Sequence, residues 1–114
     1  MSKRQKLING VEQLDEIREI FGLNESELGD LFGVRWPSVV RWRESGIPVG
    51  RRATVERVLD LARVLHSELI ASRIPEIVRT KDDWLQGRSI LQTIQHEGPG
   101  AVYPYLNRLF SHHG

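Results

Sequence analysis

The stretch ESELGDLFGVRWPSVVRWRE, from Glu25 to Glu44, decides the fold of this chain, because it has the pattern of a helix-turn-helix. Apolar residues at helical spacing predict two short helices, with Leu28, Leu31 and Phe32 on the first and Val39 and Trp42 on the second. Gly33 lies where the chain must turn sharply. Such a turn requires a positive φ, which glycine adopts at the lowest energetic cost. Gly29 places the smallest residue where two steeply crossing helices approach closely. This combination is more specific than Gly33 alone.

The outward side of the second helix has the chemistry of a major-groove reader. A recognition helix presents its N-terminal residues to base edges. Arginine fits guanine O6 and N7, and arginine and serine also bind phosphates. We expect Ser38 and Arg41 to read bases, Trp36 to contact the backbone or a thymine methyl group, and the other arginines to hold phosphates. The predicted DNA-binding residues are Arg35, Trp36, Ser38, Arg41, Arg43, Arg51 and Arg52.

Charge is distributed unevenly along the chain, although the formal net charge is only +1. Residues 35–52 contain five arginines and one acidic residue, whereas residues 11–30 contain seven acidic residues and one arginine. This asymmetry indicates a basic face that suits nucleic acid. The alternative is an ordinary helical hairpin with a solvated arginine face. We favour DNA binding because the apolar spacing, the turn at Gly33 and the location of the charge agree independently.

Composition narrows the class of protein. The 114 residues are 39% hydrophobic and 27% charged, which predicts a folded chain of one compact domain or two very small ones. There are no cysteines, so disulfides and cysteine-ligated zinc are excluded, and a reducing cytoplasm fits. No apolar run approaches the length of a membrane span. No metal-ligand spacing, nucleophile motif or phosphate-binding glycine loop is present, so we expect neither a cofactor nor an enzyme.

The rest of the chain is helical in period, which predicts an all-α fold. Asn9 has the position of an N-cap for a first helix over 10–21, and Asn24 with Glu27 repeats this start signal for the next helix. The basic residues before Asn9 form either an arm that contacts phosphates or a disordered solubilising start. A long helix is expected over 51–72, with Ile70 on its apolar side. Later helices carry Pro75 and Pro104 in their first turns, and Ser89 caps the helix between them, with Gln92 in the capping-box position. We therefore predict a helix-turn-helix DNA-binding domain over 1–72, continued by the long helix into a small helical module over 73–114.

Aromatic residues are concentrated in this C-terminal module, where Trp84, Tyr103, Tyr105 and Phe110 all follow residue 80. Aromatic side chains supply much of the anchoring energy at protein interfaces, so they indicate a partner surface. The alternative is that they fill the core of a short module, which we expect of Trp84 and Phe110. Tyr103 and Tyr105, on either side of Pro104, are expected to be more exposed.

The sequence resembles a known family in both halves. The first half of the chain is similar to the Xre-type (Cro/repressor-like) helix-turn-helix family, and the combined resemblance covers roughly residues 11–110. IVRTKDDWLQGRSILQTI, from Ile77 to Ile94, with the later AVYPYLNRL, resembles the C-terminal module of Xre/MbcA/ParS-type antitoxins. The matching positions are Leu85, Gly87, Arg88, Ser89, Leu91, Val102 and Leu106. The chain departs from the family pattern at Ile77 and Val78, where Trp-Leu is usual, and at Ile90, where proline is usual.

The resemblance implies an antitoxin that is paired with a RES-domain toxin, which consumes NAD. The C-terminal module covers the toxin's active site, and the DNA-binding half represses the shared promoter as a homodimer or a toxin–antitoxin hetero-oligomer. The partner-binding candidates are Gly87, Arg88, Tyr103, Tyr105 and Phe110. The alternative is a stand-alone Xre-type transcriptional regulator, whose C-terminal module only mediates dimerisation.

Overall fold

Seven α-helices follow one another in the computed structural model, which describes residues 2–111, with side chains from Gly10 onward. Their bounds are Ser2–Phe21 (α1), Glu25–Leu31 (α2), Trp36–Ser45 (α3), Val49–Glu68 (α4), Ile74–Arg79 (α5), Ile90–Glu97 (α6) and Tyr103–Ser111 (α7). Short 3-10 turns occur at Ala71–Arg73, Asp83–Leu85 and Pro99–Val102. The predicted all-α fold is confirmed. Within the described residues, no helix is both long and apolar enough to cross a membrane.

Helix α1 begins earlier than the sequence predicts. It starts at Ser2, so Asn9 lies inside the helix and the predicted N-cap there is wrong. Lysine, arginine, glutamine and leucine before Asn9 all have good helix propensity, and an interior glycine such as Gly10 only lowers stability without ending a helix. Leu14, Ile17 and Phe21 are fully buried, as expected from their spacing. The side chains of the predicted basic arm lie outside the described set.

The turn between α2 and α3 follows from local chemistry. Asn24 and Glu27 form the predicted capping box, in which each side chain accepts a hydrogen bond from the other's backbone N–H, at 2.8 and 3.0 Å. Gly33 has φ +69°, the left-handed conformation that its position requires. The N–H of Val34 donates to the carbonyl of Gly29 at 2.9 Å. The start of α3 is thereby held against the last turn of α2.

The long helix α4 ends before the predicted residue 72. Its last residue is Glu68, and Leu69 is extended, with φ −123° and ψ 158°. The 3-10 turn that follows redirects the chain so that Ile74 is fully buried and Pro75 lies in the first turn of α5. Ile70, expected on the apolar side of the helix, is 70% exposed instead.

The N-terminal helices α1 to α4 and the C-terminal module share one hydrophobic core. Buried residues of α1 to α4 and of α5 to α7 belong to a single cluster, in which Phe21 and Val55 occur together with Val78, Ile94 and Leu106. Arg79 of α5 adds a polar link, because its guanidinium donates to the carbonyls of Phe21 and Gly22 at 3.1 and 2.7 Å. The division at residue 72 stays a prediction about function, since packing is continuous across it.

Gly29→Ala tests the close approach in the turn. A Cβ at Gly29 would lie 2.7 Å from the carbonyl oxygen of Val34 and 3.2 Å from backbone atoms of Arg35 and Trp36, and backbone atoms cannot move aside as a flexible side chain can. We expect the free energy of unfolding to fall by about 1–3 kcal/mol, as for other overpacked sites. Gly50→Ala is the matched control, because Gly50 is helical and nothing lies within 4 Å of its added Cβ. That variant should be neutral or more stable by up to ~1 kcal/mol. Equal urea midpoints for the two variants would contradict the close approach.

Candidate nucleic-acid interface

Helix α3 is held on its inner side and open on its outer side. Val39 is fully buried and Trp42 nearly so, with the Trp42 ring edge-on to Phe32 at a centroid distance of 5.9 Å. On the other side, Trp36 is 55% exposed and Arg41 is also exposed. A helix fixed from within by two apolar anchors can present the intervening side chains in a defined geometry.

The N-terminal end of α3 carries the remaining predicted reader residues. Arg35 is the N-cap, in extended conformation and exposed, and Pro37 occupies the first turn. Ser38 is half-buried, and its N–H donates to the carbonyl of Arg35 at 3.0 Å. Arg35 and Arg41 form no ion pair with any side chain described from residue 10 to 111. Both guanidinium groups are therefore available to a ligand on this side.

Arg43 does not lie on the exposed side with the other predicted DNA contacts. Its guanidinium pairs with Glu25 of α2 and, at 2.7 Å, with Asp15 of α1. Burial opposes the charged form, but the two carboxylates outweigh burial and raise the pKa of Arg43. The predicted phosphate contact is therefore corrected to an internal tie that joins α3 to α1 and α2. The internal position of Arg43 could have been predicted from the sequence, because Arg43 follows the apolar Val39 by four residues and therefore lies on the same side of the helix.

Arg51 and Arg52 lie in the first turn of α4, and each is oriented by a backbone carbonyl. Arg51 donates from Nη1 to the carbonyl of Phe32 at 2.8 Å and lies 5.9 Å from the ring centroid of Trp42. Arg52 donates from Nε to the carbonyl of Ile47 at 3.0 Å. Both residues are exposed. Because a guanidinium has five N–H donors, each arginine keeps several for a phosphate.

Internal ion pairs neutralise much of the acidic segment over 11–30. Glu16 pairs with Arg63, and Glu27 with Arg79, in addition to the two carboxylates on Arg43. Hydrogen bonds from Arg63 lower the pKa of Glu16. The pKa of Glu27 is also lowered, chiefly by the N–H of Asn24 and then by Arg79, against the opposing effect of burial. Four of the seven acids in this segment are paired within the fold, whereas the exposed arginines at positions 35, 41, 51 and 52 form no ion pair with the side chains described from residue 10 to 111.

The C-terminal candidates Gly87 and Arg88 belong to a tight loop around Asp82. Gly87 has φ +79°, and its N–H donates to the carbonyl of Asp82 at 3.0 Å. The N–H of Asp82 in turn donates to the carbonyl of Arg88 at 3.1 Å. The Arg88 side chain is paired with Glu97 at 3.0 Å. Gly87 therefore shapes the loop, and Arg88 ties it to the end of α6.

Trp84 is exposed, so the expectation that it fills the core is wrong. It is 43% exposed, and its ring lies 5.9 Å from the Tyr105 ring and 5.7 Å from the guanidinium of Arg108. The Tyr105 hydroxyl donates to Asp82 at 2.9 Å. Burial and then Asp82 raise the pKa of Tyr105 to about 12. We call Trp84, Tyr105 and Arg108 the aromatic patch.

Tyr103 and Phe110, the other predicted partner residues, are half-buried against the core. Burial, with a smaller effect of Asp60, raises the pKa of the Tyr103 hydroxyl. The two tyrosines are thus less exposed than expected, and Phe110 is only partly in the core.

Arg108 is the member of the aromatic patch that the sequence does not identify. It lies 24 positions after Trp84, and no local spacing relates the two residues.

Within residues 10–111, no three histidine or acidic side chains are grouped as metal ligands would be. Comparisons with protein-family models, with curated proteins and with solved structures find no match to this chain.

Arg43→Met should destabilise the protein more than Arg41→Met. The first change leaves Asp15 without its cation and leaves Glu25 with only Arg18, at 3.5 Å. Because the Arg43 side chain is 23% exposed, we expect a loss of about 1–3 kcal/mol, less than for a fully buried pair. The second change removes an exposed cation with no internal partner among residues 10–111 and should alter stability by less than ~0.5 kcal/mol. Urea unfolding of both variants measures the difference, and equal losses would contradict the internal role of Arg43.

Proposed function

We propose that the chain is a sequence-specific DNA-binding antitoxin that neutralises a cognate toxin through its C-terminal module and represses its own operon. The observation that supports DNA binding best is the orientation of α3. Its buried anchors and the internal pairing of Arg43 direct Trp36 and Arg41 outward, beside the exposed Arg51 and Arg52.

The exposed residues divide by chemistry into base and phosphate contacts. Arg41 and Ser38 read base edges in the major groove, where arginine pairs with guanine. Trp36 packs on the backbone or on a thymine methyl group. Arg35, Arg51 and Arg52 hold phosphates and set the register of the protein on the duplex. Their placement near the starts of α3 and α4, neither of which has a side-chain cap, also suits phosphates, because the N-terminal ends of helices attract anions.

A single small reader contacts few base pairs, so operator specificity requires two copies. A two-fold dimer on a palindrome places its readers about 34 Å apart, one turn of the DNA helix. The proposed DNA-bound form is therefore a dimer or a toxin–antitoxin assembly of higher order.

The toxin-binding role is supported by the resemblance of residues 77–110 and by the aromatic patch. Tryptophan, tyrosine and arginine are the residue types that dominate binding energy at protein interfaces, and in this patch Trp84 and Arg108 are exposed and Tyr105 is half-buried. The resemblance suggests a RES-type, NAD-consuming toxin as the partner. The alternative function is a stand-alone regulator in which the module serves only dimerisation. A neighbouring gene whose product is toxic alone favours the antitoxin, and its absence favours the regulator.

Arg41→Ala should weaken binding to the cognate operator by about 1–3 kcal/mol and relax specificity, as loss of a bidentate base contact does. Arg52→Ala should weaken all sequences evenly and reduce the salt dependence of the affinity, since it removes one phosphate contact. Fluorescence anisotropy on the protein's own upstream DNA and on a scrambled duplex, at two salt concentrations, measures both effects.

Arg108→Ala is the control for this experiment, because it removes an arginine from the aromatic patch and should leave DNA affinity unchanged. If the Arg41 and Arg52 variants lose affinity in the same way on both duplexes, the division between base and phosphate contacts is wrong. If the wild-type protein does not prefer its own upstream DNA, the proposed DNA-binding function fails.

Trp84→Ala should abolish toxin neutralisation while leaving DNA binding intact, and Arg41→Ala should do the reverse. Point variants are needed because deleting 84–114 removes Leu85, Ile90 and Leu106 from the shared core. Growth on co-expression with the neighbouring gene product reports neutralisation, and circular dichroism checks folding. A Trp84 variant that loses operator binding while no toxic neighbour exists would favour the stand-alone regulator.

A further inference from the structure

An apolar groove lies where α4 ends and α5 and α7 meet, away from the arginines of α3. It encloses about 410 Å³ and is lined by Glu68, Leu69, Ile70, Arg73, Ile77 and Phe110. A second hollow of about 180 Å³ adjoins it through Leu69, Ile77 and Phe110 and continues to Tyr105 and Leu109. The groove is thus a continuous apolar surface, built largely of side chains that the core only half covers.

Ile70 is an exposed apolar residue at the edge of this groove. Its side chain is 70% exposed at the rim, one of four large apolar side chains exposed within residues 10–111. The helix α4 ends two residues before Ile70, and the following 3-10 turn holds the isoleucine outward. Exposed apolar side chains beside an apolar groove are typical of an interface.

We infer that this groove is the interface with a second copy of the chain. Its two charged lining residues, Glu68 and Arg73, carry opposite charges and form no ion pair with the side chains described between residues 10 and 111. In a two-fold interface, residue i of one copy meets residue j of the other, and j meets i. One acid and one base on either side of the Leu69–Ile70 segment satisfy this rule, because each Glu68 can pair with the other copy's Arg73.

The same groove suits a different protein less well. A foreign partner would have to supply complementary charges of its own, whereas a second copy brings both of them. The inference deepens the proposed function in one respect only, since it assigns a surface to the dimer that a palindromic operator requires. Its test needs neither DNA nor toxin, so failure of the dimer and failure of DNA binding are distinguishable.

Sedimentation velocity of the full chain without DNA, over a wide concentration range, tests the interface. The wild-type protein should associate reversibly to a dimer. Ile70→Asp should raise the dimer dissociation constant about tenfold or more, because each dimer loses two buried isoleucines and gains two carboxylates in an apolar site. Val49→Asp is the matched control, since Val49 is 78% exposed at the start of α4, and it should leave the dissociation constant unchanged.

A charge exchange distinguishes a second copy of the chain from a different protein as the occupant of the groove. Glu68→Arg and Arg73→Glu should each weaken the dimer by placing like charges opposite one another, and the double variant should restore the wild-type constant. Circular dichroism spectra equal to wild type show that these exposed changes leave the fold intact. A wild-type monomer at every concentration, a dimer indifferent to Ile70→Asp, or no restoration in the double variant would each overturn the inference.

Discussion

The position of α3 depends on Arg43. Its guanidinium lies between Asp15 of α1 and Glu25 of α2, so one side chain ties three helices together. The contact also fixes the rotation of α3 about its axis, because Arg43 lies on the same inner side of the helix as the buried Val39 and Trp42. With that side fixed, helical geometry directs Trp36 and Arg41 outward. The internal ion pairs of Arg43 thus orient the exposed side of α3 that carries Trp36 and Arg41.

The same pattern of pairing separates the charges of the molecule. Arginines from α3, α4 and α5 each pair with carboxylates of the acidic segment, and this joins helices that are distant in sequence. Arg79 also donates to the carbonyls at the end of α1, which links the C-terminal module to the N-terminal helices. Because the core is continuous across this link, the exposed arginines of α3 and α4 and the aromatic patch lie on one packed body.

The elements that the sequence predicted correctly are those with local causes. The capping boxes at Asn24 and Ser89 and the left-handed Gly33 each depend on residues within a few positions, and the structure contains all three. The predictions that were wrong depend on distant partners. Arg43 pairs with residues 28 and 18 positions away, and no local pattern identifies those two carboxylates. The position of Trp84 likewise depends on its contacts with Tyr105 and Arg108. Without knowledge of those contacts, an aromatic residue in a short module is expected to lie in the hydrophobic core.

The measurement that tests the reading surface most directly is a backbone amide chemical-shift map of the full chain, titrated with a duplex of its own upstream DNA. Shift changes should be concentrated at residues 35–41 and 49–52. Amides of residues 12–19, in the acidic part of α1, should move little. A scrambled duplex should perturb the phosphate-binding residues without the base-reading ones. Changes centred on the acidic helices, or no changes with either duplex, would contradict the proposal that α3 reads DNA.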